Sequence, residues 1–199
     1  GVYNKKIPSV IITHQLTVLS GKTTWISSKL HQHFIGNFNE CWVPDFEKTT
    51  NFTGKLGHLK STSLNLKYIG ILSRLEQKEL PKKYDLMVLL SGPEPQRTLL
   101  EEQLKIDVQK YDGNVLFVNG KIEENQKTEI VNNVTFYNFM TSTELEIAFN
   151  ESENILCRSG YTTMMDLVKF DKKAFFITTQ VQDEQEDLAK DLQERYSLI

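Results

Sequence analysis

Glycine-rich signatures are what this 199-residue sequence lacks most clearly. It contains no Gly-x-x-x-x-Gly-Lys-Ser/Thr and no Gly-x-Gly-x-x-Gly, which excludes a phosphate-loop enzyme and a standard dinucleotide site. Gly21-Lys22-Thr23 matches the end of the first pattern, but Leu16 stands where its leading glycine belongs. A Gly-x-Ser-x-Gly nucleophile elbow is missing too. There are two cysteines, Cys41 and Cys157, both in apolar stretches. Two cannot make a disulfide framework, so buried free thiols in a reducing compartment are expected. Of the four histidines, His31 and His33 lie two apart and share no helix face. No zinc site is expected; His14 is the histidine best placed for chemistry, though a satisfied loop histidine explains it better. The acidic pairs Asp45/Glu47 and Asp183/Glu184 read as solvated surface as readily as divalent-ion ligands. No apolar run approaches the roughly 20 residues of a membrane span, and the first 15 residues lack the order of a signal peptide. The Asn-x-Ser/Thr triplets at Asn51, Asn133 and Asn150 are accordingly read as chance matches. A net charge of −3 gives no electrostatic reason to expect nucleic acid.

What is present is alternation. Short apolar runs at Ser9–Thr13, Glu40–Val43, Lys67–Ile71, Leu86–Leu90, Val115–Val118, Val134–Tyr137, Asn154–Cys157 and Ala174–Ile177 read as strands. Several are apolar at consecutive positions, as parallel strands buried on both faces are. Amphipathic or polar stretches at Lys22–Phe34, Gln96–Lys110, Thr143–Phe149, Thr162–Phe170 and Gln182–Tyr196 read as helices. In the first, Trp25, Ile26, Leu30 and Phe34 are expected on the buried side. The fold class is α/β: a Rossmann-like parallel sheet with helices on both faces, preceded by a partial second α/β domain. Residues 1–70 form that partial domain, the polar, proline-containing stretch 71–84 a linker, and 85–199 the complete βαβ array.

Ligands of open α/β sheets bind beyond the carboxyl ends of the strands. Two loops there carry unusual residues. In Ser91-Gly92-Pro93-Glu94-Pro95-Gln96-Arg97, Gly92 permits a sharp turn or a close ligand, and Arg97 can add charge at a helix N-terminus. An ordinary turn and helix start explains the same residues. In Cys157-Arg158-Ser159-Gly160-Tyr161-Thr162, Ser159 can cap the next helix, or Ser159 and Gly160 can hold a phosphate. Asp166, roughly 10 Å further along that helix, is placed to accept from the two hydroxyls of a ribose. After the last strand, Thr178 to Gln185 offers amides suited to sugar hydroxyls, or a solvated acidic helix start.

The stretch NILCRSGYTTMMDLVKFDKKAFFITTQVQDEQEDLA, residues 154–189, resembles the donor-binding region of the GT-B glycosyltransferases of family 28, which include the enzyme adding N-acetylglucosamine in peptidoglycan lipid II synthesis. PSVIITHQ, LMVLLSGPEPQR and VTFYNFMTSTELEIAF extend the resemblance more weakly over most of the chain. The resemblance implies a C-terminal donor domain with part of the acceptor-side domain. It places Ser91, Gly92 and Arg97 on the phosphate side, Phe139 and Met140 at a uracil ring, and Ser159, Gly160, Tyr161 and Thr162 at a pyrophosphate. Asp166 falls at the ribose, and Gln182 and Gln185 near the sugar. Two departures stand out. Thr178 and Val181 replace the proline and glycine usual after the last strand, and Ser-Gly-Pro-Glu-Pro replaces a glycine-rich triplet.

By that resemblance the full protein transfers a sugar, N-acetylglucosamine by analogy, from a UDP donor to an acceptor hydroxyl, without metal or other cofactor. The acceptor is unknown. The base belongs to the part of the acceptor domain not found here, so no catalytic residue is assigned, and this chain alone is expected to be inactive. A missing N-terminal domain or partner subunit is implied, as is a cytoplasmic location, with room for peripheral membrane association through the missing part. An epimerase or hydrolase on the same scaffold, or a non-catalytic donor-binding subunit, are the alternatives.

Overall fold

The computed structural model describes residues 7–18, 23–48, 51–170 and 172–177. The chain divides into two compact units, Gly1–Leu72 and Ser73–Ile199.

In the first unit, β1 (Val10–Ile12), β2 (Glu40–Val43) and β3 (Leu66–Tyr68) form a parallel sheet in that order. Helix α1 (Thr24–Ile35) connects β1 to β2. Leu16, Ile35, Cys41 and Val43 are its buried centre, with Leu64, Leu66 and Tyr68 packed against them. Helix α1 sits the opposite way round from its hydrophobic pattern. Trp25, Ile26, Leu30 and Phe34, expected inside, are 67%, 62%, 60% and 55% exposed. Its inward side is polar: Ser28 Oγ accepts from the Val18 amide at 3.0 Å, Gln32 Nε2 donates to the Leu16 carbonyl at 3.1 Å, and His31 Nε2 lies 2.9 Å from the Gln15 carbonyl. The loop before α1 carries backbone groups that must be paired once covered, and these side chains pair them. Asp45 is no surface ligand either. Fully buried, it accepts from the amides of Phe46, Phe52 and Thr53 at 2.7 to 2.9 Å and so shapes the following loop.

The second unit holds six strands: β4 (Tyr84–Leu89), β5 (Val115–Val118), β6 (Thr128–Val131), β7 (Val134–Tyr137), β8 (Ser152–Arg158) and β9 (Lys173–Ile177), in the order β6-β7-β5-β4-β8-β9. All neighbours are parallel except the edge hairpin β6–β7. Helices α2 (Gln96–Asp107, continued by a 3-10 turn Val108–Lys110), α3 (Ser142–Glu151) and α4 (Tyr161–Phe170) link the strands. The sheet is buried on both faces. Met87, Leu116, Val118, Ile155 and Cys157 pack with Phe149, Leu167 and Phe170 of α3 and α4. Val88, Leu90, Val115 and Phe117 pack with Leu104 and Val108 on the α2 side. Continuous apolar runs follow from this sandwiching. Strand β6 has no such run, since all four of its residues are exposed. It pairs through the two-residue turn Asn132-Asn133, with Asn132 at φ 54°, a conformation asparagine tolerates.

The stretch expected as a linker is largely bound into this unit. Leu75 is buried in the core. The Glu76 amide donates to Glu146 at 2.9 Å, the Lys78 amide to Asn150 Oδ1 at 2.7 Å, and Gln77 Nε2 to the Phe170 carbonyl at 3.2 Å. Residues 73–83 are thus a strap across α3 and α4 that pairs its backbone with side chains in place of a sheet. Among the described residues, no helix is long and apolar enough to cross a membrane.

Candidate functional site

The chain runs from β4 outward to β5 and β7 on one side, then returns to β8 on the other side of β4. The crevice beyond the carboxyl ends of β4 and β8 is therefore the topological switch point of the sheet, where connections diverge and backbone groups face a common space. The two loops singled out in the sequence both emerge there.

Arg158, the last residue of β8, joins them. It is 4% exposed, and its Nη1 donates to the Ser91 carbonyl at 2.9 Å. Burial pushes its pKa down from the ordinary value, although guanidinium stays protonated. Gly92 makes this approach possible. Its φ is +109°, and a Cβ there would collide with the Arg158 guanidinium. The sequence patterns did not single out Arg158. The readable signal was a charged residue ending an otherwise apolar parallel strand.

Ser159 follows, with no exposed surface. Its hydroxyl does not cap α4: among the described residues Ser159 Oγ has no hydrogen-bond partner. The turn is held instead by backbone, Gly160 N donating to the Arg158 carbonyl at 2.8 Å and Met164 N to the Gly160 carbonyl at 3.0 Å. A Cβ added at Gly160 would meet no protein atom within 4 Å, so the packing of this chain does not itself demand glycine there. Tyr161 is buried and Thr162 exposed at the first turn of α4. The first amides of a helix lack intrahelical acceptors and carry the positive end of its dipole.

Asp166 lies further along α4, half-buried. Its Oδ1 accepts from Ser73 Oγ at 2.5 Å. Burial raises its pKa above the usual carboxylate value, opposed by the Ser73 hydrogen bond and by the charges of Arg74 and Lys169. One carboxylate offers about four acceptor positions, so Ser73 leaves capacity for further donors.

Other expected residues are engaged elsewhere. Arg97 does not face the crevice as a spare charge. It is 4% exposed, and its donors go to Glu94, Glu101, Thr98 and the Asn119 carbonyl. These bonds use all five N–H groups of a guanidinium, making Arg97 a brace between α2 and the end of β5. Glu94 in turn accepts from the Thr98 amide and hydroxyl, so the start of α2 already holds an anion. Phe139 and Met140 lie between β7 and α3. The Phe139 amide donates to Asn138 Oδ1 at 3.0 Å and its carbonyl accepts from Gln126 at 2.9 Å, while Met140 packs against the core. The N-terminus of α3 is closed by a capping box between Thr141 and Glu144. Gln182, Gln185 and the helix expected at Gln182–Tyr196 lie outside the described residues.

Parallel sheets flanked by helices, with a switch point between β4 and β8, give an α/β, Rossmann-like architecture consistent with a GT-B domain. Among solved structures, the crystal structure of Acinetobacter baumannii MurG is similar to this chain with a TM-score of 0.51 and 13% sequence identity, over 94% of this chain and 51% of that one. The likeness is one of fold, and the chain spans about half the length of that structure. No family model matches the sequence, and no curated protein matches it.

Proposed function

We propose that this chain is the donor-binding half of a glycosyltransferase that uses a UDP-sugar, with N-acetylglucosamine as the sugar suggested by the sequence resemblance. One observation carries the assignment of the site: a wholly buried serine hydroxyl, Ser159 Oγ, without a partner among the described residues, at the switch point and beside a helix N-terminus. Leaving a buried hydroxyl unpaired costs about 1–3 kcal/mol, a cost that a ligand oxygen placed there removes. The fold likeness to MurG and the Cys157-Arg158-Ser159-Gly160 stretch with its carboxylate at residue 166 support the same reading.

In this account the first amides of α4 and the Ser159 hydroxyl hold the diphosphate, while Gly160 lets its oxygens come close. Arg158 stands at the same turn and offsets the negative charge that grows as the sugar–phosphate bond breaks. Asp166 accepts from the ribose hydroxyls alongside Ser73. Activation of the acceptor falls to groups outside this chain, so the chain binds donor and does not turn it over.

Calorimetry with UDP on the chain and on Asp166→Ala tests the assignment. The chain should bind UDP, and the variant should bind about tenfold more weakly, the loss expected for a charge-assisted hydrogen bond. Absence of binding to the folded chain, or equal binding by both proteins, would refute it.

A further inference from the structure

We propose that the second unit carries a saccharide-binding groove over β7, on the α2 side of the sheet. Topology opens it. Strands β5 and β7 are parallel neighbours, yet residues 119–133 join them through the edge strand β6 and no helix. A crossover between parallel strands usually brings a helix that covers the sheet. Here the sheet beside α2 lacks that cover, and a groove of about 610 Å³ remains, within the size range of small-ligand sites. Its floor is apolar: Phe136, half-buried, and Val131, 36% exposed. Glu101, Lys105 and Gln109, spaced four residues apart, line its α2 side.

An orphaned polar atom sits in the wall. Asn119 follows β5, and its Oδ1 is buried without a hydrogen-bond partner among the described residues. Buried polar atoms are otherwise paired almost without exception. The backbone around Asn119 is pinned. Its amide donates to the Tyr137 carbonyl at 2.8 Å, and its own carbonyl accepts from Arg97 at 3.0 Å. Gly120 comes next at φ +68°, where a Cβ would collide with the Leu90 carbonyl. Held in this way, the Asn119 carboxamide finds its missing donor on a ligand in the groove.

The remaining wall names the ligand class. Its charges cancel, Glu101, Glu123 and Glu129 against Lys105, Lys121 and Lys127. Glu123 is held by Lys121 and Lys127, and Glu101 by Arg97 and Lys105. The Glu129 carboxylate pairs with no side chain among the described residues. Lys105 gives one N–H to Glu101 at 2.7 Å and keeps two. Gln109 accepts from Asn132 at 3.1 Å through Oε1, which leaves its NH₂ to donate. The groove thus presents acceptors on Asn119 and Glu129 and donors on Lys105 and Gln109, with no net charge. A phosphate would face Glu129, and an ammonium would face Lys105. Hydroxyl groups both donate and accept, so a neutral sugar uses both sets. Its C–H face suits the apolar floor.

Titration of the isotope-labelled chain with chitobiose and with cellobiose, followed by NMR, tests this, with glycerol as the control polyol. At least one disaccharide should give saturable shifts at the amides of Asn119, Glu129 and Val131, and glycerol should not. Asn119→Ala and Glu129→Ala should each weaken that binding about tenfold. Neither should lower the Tm, since the first side chain makes no hydrogen bond among the described residues and the second is exposed. Four results would overturn the proposal: no saturable shift with either disaccharide, shifts matched by glycerol, shifts indifferent to both substitutions, or shifts centred on Gly160 and Tyr161. UDP binding is read separately, at those two amides, and does not bear on the outcome.

Discussion

Arg158 Nη1 and the Ser91 carbonyl, 2.9 Å apart, tie together the loops that follow two adjacent parallel strands. Their bond joins the end of β8 to the turn after β4, next to Ser159 and Gly160. Gly92 lies against the guanidinium with a left-handed backbone. Gly92→Ala should therefore destabilise the second unit by about 1 kcal/mol or more and weaken UDP binding, as read by thermal denaturation and calorimetry on the same sample.

Two buried arginines separate stability from binding. Arg97→Met removes a brace whose five donors are all used, and should cost about 2–3 kcal/mol in chemical denaturation while UDP affinity holds. Arg158→Met should lower UDP affinity. The reverse pattern would return Arg97 to the phosphate side.

These two arginines also mark how far the sequence reaches. Continuous apolar runs announce the parallel strands because both faces of the sheet are covered, and the alternation with helices announces the α/β class. Which arginine meets the crevice depends on pairing between β4 and β8, and no local pattern carries that. Helix α1 misleads for a physical reason: its polar side chains pair with the carbonyls and amides of the loop beneath it, so its apolar face turns outward. Strand β6 is exposed at every position and lacks an apolar run, though the Asn132-Asn133 turn was a readable hairpin signal. Residues 73–83 look like a linker in composition, yet Leu75 and the backbone bonds to Glu146 and Asn150 anchor them.

Asp166 should give the second unit a pH signature. Its carboxyl pKa is raised in the folded chain by burial. Protonation is thus favoured by folding, and the stability it contributes is present at acid pH and lost as the pH rises from below the ordinary 3.8 through the raised value. The Tm of the chain relative to Asp166→Asn should fall over that interval. A constant difference would show that the carboxyl is not perturbed.

Cys157 is buried and its thiol is pushed up to about 12 by burial. In the folded chain it should resist iodoacetamide at about pH 8, where an ordinary thiol reacts, and become reactive on unfolding. Mass spectrometry of the labelled peptide reads the outcome.

Substituting Ser159 separates a packing role from a binding one. Its hydroxyl has no partner within the described chain, so Ser159→Ala should leave the Tm unchanged or raise it, a buried unpaired hydroxyl being worth about 1–3 kcal/mol against folding. Loss of stability instead would mean that the hydroxyl serves the fold.

The most direct test of the central claim is an NMR titration of the labelled chain with UDP, following the backbone amides. The account predicts that Gly160 and Tyr161, at the start of α4, shift most, that the same resonances move little with uridine, which lacks the diphosphate, and that Ser159→Ala reduces the UDP response. Shifts centred on the start of α2, with the amides after Ser159 unmoved, would contradict it.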